Sequence, residues 1–114
     1  MDKEIAKLLK DVLMSIESIE TYIGPKKIFS DYTDSLLLQD AVERNIITIG
    51  EVMNILLKKI PDIPISNARK AVNARNRLTH GYDDIDNSQV WNIVINHLPL
   101  LKTEVEKLLN ETTN

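Results

Sequence analysis

Apolar residues recur along this chain at intervals of three and four, and no segment alternates at intervals of two. From Asp2 to Ile23 the positions Ile5, Leu8, Leu9, Val12, Ile16, Ile19 and Ile23 fall on one side of a helix, the spacing that buries one stripe of an α-helix. Gly24 and Pro25 then end it, because neither residue continues a helix well. A polar stretch with two lysines leads to Ser30 and Asp31. From there a second long segment is predicted to run to about Leu57 through Leu38, Val42, Ile46, Ile49, Met53 and Leu56. Gly50 lies in its middle, where it costs about 1 kcal/mol relative to alanine, and this points to a second helix approaching closely there. Pro61 and Pro64 mark the next connection. Ser66 is predicted to cap a third helix that carries Ala68, Ala71, Val72 and Leu78, with Gly81 in the C-cap position. Asp86 and Gln89 have the spacing of a capping box for a fourth helix with Val90, Trp91, Ile93, Val94 and Leu98. Pro99 is expected to kink or break it before the stripe resumes at Leu100, Leu101, Val105, Leu108 and Leu109. The expected architecture is a single all-α domain over residues 1–114, an antiparallel bundle of four to five helices.

Composition bounds what such a bundle does. The chain has 114 residues, 43% of them apolar and 27% charged, the balance of an ordinary folded domain and not of a disordered one. No apolar run approaches the roughly 18 residues that cross a bilayer, and the charged N-terminus MDKEIAKLLKDV has no signal-peptide core, so a cytoplasmic location is expected. Without cysteine, disulfides, thiol nucleophiles and thiolate metal sites are excluded. The net charge of −3 is unevenly placed: Lys58, Lys59, Arg69, Lys70, Arg75 and Arg77 against Asp62 give +5 between Lys58 and His80, while the segments on either side each carry −4. A basic island in an acidic chain suits a phosphate-bearing ligand better than a general nucleic-acid coat. A solvated helix face is the plainer account of the same charges.

The stretch RNRLTHGYDD, residues 75 to 84, closes that island. On a helix ending near Thr79, Arg75 and Arg77 project from different faces. Arg75 and His80 converge only if the chain turns at the helix end, which Gly81 makes cheap because it accepts positive φ. A guanidinium, an imidazole and the phenol of Tyr82 at the mouth of one groove fit phosphate chemistry. Arginine binds two phosphate oxygens through its planar fork and stabilises the charge of a five-coordinate phosphorus, and histidine moves protons near neutral pH. Neither step requires a metal. Structural roles stand beside these: Arg75 as an ion-pair partner for a neighbouring helix, His80 as a C-terminal residue favoured by the helix dipole, Arg77 as a phosphate or rim contact. His97 reads as a packing or capping residue, Asp83, Asp84 and Asp86 as a solvated turn and cap, and Trp91 as core or dimer interface. Aromatic residues make up only 4% of the chain, too little for base recognition by stacking.

The run Arg75-Asn76-Arg77-Leu78-Thr79-His80-Gly81-Tyr82 resembles the Arg-x4-His-x-Tyr signature of HEPN-domain proteins, in particular the small HepT-like toxins encoded beside a minimal nucleotidyltransferase (MNT) antitoxin. VERNIITIGEV, IDNSQVWNIV and HLPLL are similar to that family as well, so the resemblance extends over nearly the whole chain. It implies an all-helical homodimer acting as a metal-independent, cofactor-free endoribonuclease, with the signature residues of two subunits facing across a composite cleft. Carried onto this sequence, Arg75 and His80 would be the catalytic pair, Arg75 holding the scissile phosphate and His80 serving the ribose 2′-hydroxyl or the leaving oxygen. Asn76 would orient the histidine or the phosphate, and Tyr82 would be the tyrosine adenylylated by the nucleotidyltransferase partner. A bulky anion there would occlude the cleft and repel RNA.

Three functional readings remain open on the sequence. The first is the ribonuclease toxin with RNA as substrate. The second is a non-catalytic nucleotide-binding subunit of a two-component nucleotidyltransferase, in which the same residues only grip a phosphate. The third is a purely structural helical dimer or adaptor.

Overall fold

A computed structural model of the chain describes residues 2–80 and 85–113, and among these every regular element is helical. The first helix, α1 (Lys3–Ile23), begins where Asp2 accepts the Ile5 N–H on its carboxylate at 2.8 Å, which satisfies one of the helix's unpaired first-turn donors. It ends at Gly24, whose φ of 74° lies in the left-handed region that glycine enters without a Cβ penalty. The predicted long second helix is two helices instead. A short α2 (Phe29–Thr33) is separated from α3 (Leu36–Lys59) at Asp34 and Ser35. Local caps overrode the apolar periodicity here: the Ser35 hydroxyl accepts from the Leu38 N–H at 3.0 Å, and the Gln39 side chain donates to the carbonyls of Tyr32 and Thr33, both at 3.1 Å. The end of one helix and the start of the next are thus satisfied together.

The next helix, α4, spans Ala68–Thr79, and its start corrects a second expectation. Ser66 does not cap it; its N–H and hydroxyl both donate to the Glu104 carboxylate, at 3.0 and 2.8 Å. A carboxylate is the stronger acceptor for both groups, so Asn67 flanks the helix without a side-chain cap. Gly81 lies outside the described residues. The capping box is present as predicted, with Asp86 accepting the Gln89 N–H at 2.9 Å and Gln89 accepting the Asp86 N–H at 2.8 Å.

Pro99 neither breaks nor ends the helix that follows. The chain passes from α5 (Asn87–Asn92) through a π-helical turn (Ile93–His97) into α6 (Leu98–Thr113), and the Leu98 N–H bonds to the Ile93 carbonyl five residues back. The wider turn just before the proline accommodates a ring and a missing donor that a regular α-helix would resist.

Two ion pairs mark how the helices run. Lys59 at the end of α3 pairs with Glu4 at the start of α1 at 3.0 Å, and Lys102 early in α6 pairs with Glu20 late in α1 at 2.9 Å, so both neighbours run antiparallel to α1. α3 also packs against α4. The exposed ion pairs themselves contribute little; the apolar interior dominates. Leu9, Val12, Ile16, Ile19, Val42, Met53, Leu56 and Val105 are all but inaccessible, each worth roughly 1.5–3 kcal/mol for a fully buried large aliphatic side chain. Trp91 is half-buried within the single chain, its ring 5.6 Å from those of Phe29 and Tyr32.

Candidate active site

The candidate site is built on the contact between α3 and α4. Ala68, Val72 and Ala74 of α4 are buried, and with Ala71 they present a face of small side chains that lets α4 lie close to α3. Gly50 makes the approach closest. A Cβ built on it would overlap the Cβ of Arg75 and reach within 2.7 Å of the Ala71 carbonyl oxygen. The glycine that looked costly in the sequence therefore seats the stem of the candidate catalytic arginine against the neighbouring helix.

That seating fixes the guanidinium. Arg75 Nη1 donates to Asn76 Oδ1 at 2.9 Å, and Arg75 Nε lies 4.0 Å from Glu51 Oε1. The ion pair is loose and its carboxylate half-exposed, so it adds little to stability. The Nε atom itself is buried and has no hydrogen-bond partner among the described residues. A buried donor of a permanently charged group is costly to leave unpaired, and the Glu51 carboxylate brings it a partial electrostatic partner. Glu51 could not be singled out from the sequence; its signal is only that it follows Gly50, one position further along the contact.

His80 flanks the C-terminal end of α4, exposed, with φ −84° and its N–H donating to the Asn76 carbonyl at 3.1 Å. The helix therefore holds its form up to the histidine backbone. Thr79 tightens this last turn by donating its hydroxyl to the Arg75 carbonyl at 3.0 Å. Arg75 and His80 stand on one helix end, five positions apart. The Asn76 side chain orients Arg75. Arg77 projects on a different face, as its spacing predicts, and lines a separate cavity against the last helices, a cavity that His97 in the π turn also lines. Tyr82 and the acidic pair Asp83 and Asp84 lie outside the described residues. Asp86 is the cap already described. Among the described residues, no three His, Asp or Glu side chains gather as a metal site, and no helix is long and apolar enough to cross a membrane.

An all-helical chain with an arginine and a histidine at the end of one closely packed helix is the setting in which its relatives are informative. The chain belongs to the HepT-like ribonuclease family, whose profile matches residues 12–108 and so includes α3, α4 and the stretch from Arg75 to His80. It is 34% identical over 115 residues to "Gamma-glutamylcyclotransferase and putative RNase MJ0434" of Methanocaldococcus jannaschii, a match covering 97% of this chain and 50% of that protein. The chain thus spans about half the length of that relative. It is 26% identical to "Putative RNase MJ0127" of the same organism, covering 96% of this chain and 90% of that one. It is also 32% identical to "Probable ribonuclease HepT" of Thermococcus cleftensis, covering 88% and 91%. No solved structure matches the chain significantly.

Proposed function

We propose that the chain is a metal-independent endoribonuclease and the toxin of a HEPN/MNT toxin–antitoxin pair. The observation that carries this reading is the guanidinium of Arg75, anchored by its stem against Gly50 and by Nη1 on Asn76, on the same helix end as His80. Membership of the HepT-like ribonuclease family supports RNA as the substrate.

In this mechanism the ribose 2′-oxygen attacks the adjacent phosphorus and its proton passes to an imidazole. The bond from phosphorus to the 5′-oxygen breaks, and that oxygen takes up a proton. The products are a 2′,3′-cyclic phosphate and a 5′-hydroxyl. Arg75 stabilises the negative charge that grows on the non-bridging oxygens in the five-coordinate state, and His80 carries a proton. Arg77 is a rim contact for a flanking phosphate. Two copies of the chain place their signature residues across one cleft, a homodimer supported by Leu36 and Leu37, which stand 77% and 81% exposed side by side on α3. Adenylylation of Tyr82, two positions beyond His80 in the sequence, by a separate nucleotidyltransferase antitoxin silences the site by adding a bulky anion.

The test is cleavage of a mixed RNA pool in excess EDTA by the purified chain, beside Arg75→Ala and His80→Ala variants. The expected result is cleavage by the parent alone, with 2′,3′-cyclic ends. Cleavage that survives both substitutions overturns the assignment. Nucleotide affinity lost in Arg75→Ala, with no RNA turnover by a parent whose mass shows no adenylate, establishes the non-catalytic subunit instead.

A further inference from the structure

The mechanism above uses Arg77 but not the cavity beside it on α4. It measures about 230 Å³ and lies between α4, α3 and the stretch from Ile93 to Glu104. Its floor is apolar, formed by Ile46, Ile49, Ile93, Leu98 and Leu101. Cavities for drug-sized ligands run to about 300–1,000 Å³, so this one suits a single flat ring system.

Its polar groups have a definite sense. Lys70 and Arg77 bring positive charge to the α4 wall, and Asn73 adds an amide. Glu104 lines the cavity too, its carboxylate held in place by the N–H and hydroxyl of Ser66. Ser66 supplies two hydrogens to a group with roughly four acceptor positions, so Glu104 keeps accepting capacity in a wall of the cavity. An oriented carboxylate beside an apolar slot that Lys70 and Arg77 also line matches a ring that offers adjacent N–H donors and carries a phosphate nearby. Guanine has that pattern: its N1–H and N2 amino group lie side by side on one edge. Adenine and cytosine offer a single amino group there, and uracil a single ring N3–H between two carbonyls that a carboxylate repels.

We propose that this cavity is a guanine subsite, holding one base of the bound RNA with its Watson–Crick edge on Glu104 and its phosphate toward Lys70 and Arg77. The inference rests on RNA being the substrate. It supplies the base selectivity that a chain with 4% aromatic residues cannot obtain by stacking. Arg75 and Arg77, two positions apart on α4, point roughly 160° apart around the helix, so the base and the scissile phosphate are held on different faces.

The experiment is calorimetric titration of the full chain, in EDTA, with the 5′-monophosphates of guanosine, adenosine, cytidine and uridine, none of which has a bond to cleave. Guanosine monophosphate is expected to bind at least about tenfold more tightly than the others. Glu104→Gln, whose amide oxygen still accepts from Ser66, removes that preference, and Lys70→Ala weakens all four nucleotides alike. Asn73→Trp, at an exposed position, fills the mouth and abolishes binding while circular dichroism shows an unchanged fold. Absence of binding at millimolar nucleotide, preference for another base, or a guanine preference that survives Glu104→Gln overturns the proposal. The ribonuclease reading fails separately, through cleavage that is indifferent to Arg75 and His80.

Discussion

The Cβ of Arg75 occupies the space that a side chain on Gly50 would need. The closest approach of α3 to α4 and the anchoring of the candidate catalytic guanidinium are therefore one contact. Substituting Gly50→Ala would normally gain up to about 1 kcal/mol of helix propensity. Here the methyl group overlaps Arg75 and presses on the Ala71 backbone, and overpacking of that kind costs about 1–3 kcal/mol. The expected outcome is a net loss of stability in urea denaturation together with weakened RNA cleavage, since the helices must separate and carry Arg75 with them. A variant more stable than the parent would show that the two helices part without strain.

Arg75→Lys keeps the charge and removes the planar fork, along with the Nη1 bond to Asn76. A point charge on a flexible stem does not replace two directed donors. Cleavage should fall by about 100-fold or more, the size of effect seen when one preorganised transition-state donor is lost, with substrate affinity changed far less. The check is kcat and KM for a short RNA, and near-parental kcat in the lysine variant would contradict the role given to the fork.

His80 is exposed at the end of α4, and its backbone N–H already closes the last turn on Asn76. His80→Ala should accordingly shift stability by no more than about 0.5 kcal/mol while lowering cleavage by about 10²- to 10⁴-fold. Thermal melts and cleavage rates measured on the same preparations separate the two effects. A large fall in melting temperature would mark the histidine as structural.

Tyr32 is fully buried beside Trp91, and its hydroxyl has no hydrogen-bond partner among the described residues. Burial foremost, then the carboxylates of Glu43 and Asp40, raise the phenol's pKa above its ordinary value. The unfolded chain therefore releases this proton first as the solution becomes alkaline. The stability tied to the neutral phenol is complete below about pH 10, the unfolded value, and is lost as pH rises further. Tyr32→Phe removes an unsatisfied polar group, so it should be neutral or stabilising by up to about 1 kcal/mol at pH 7. It should also flatten the fall of the denaturation midpoint above about pH 10. An equally steep fall in the variant would place the alkaline transition elsewhere.

What the sequence determined by itself is what short-range interactions decide. The stop of α1 at Gly24, the Asp86–Gln89 capping box and the apolar stripes of the long helices all depend on residues within one or two turns of each other, so they are written locally. The close approach at Gly50 was legible for a related reason: a mid-helix glycine has no local advantage and must answer to a neighbour. The placement of Arg75 through His80 at a helix end was equally readable, because periodicity sets where the helix stops.

The tertiary structure decided whatever joins residues far apart in the chain. Ser66 looked like a cap until Glu104, 38 positions away, offered its hydroxyl and N–H a charged acceptor. Pro99 looked like a break until the packed last helix absorbed it in a π turn. Glu51 beside Arg75, and the cavity that Lys70 and Glu104 both line, have no signature in any window of sequence. They exist only because burying several amphipathic faces at once fixes which side of each helix meets which, and that choice belongs to the whole chain.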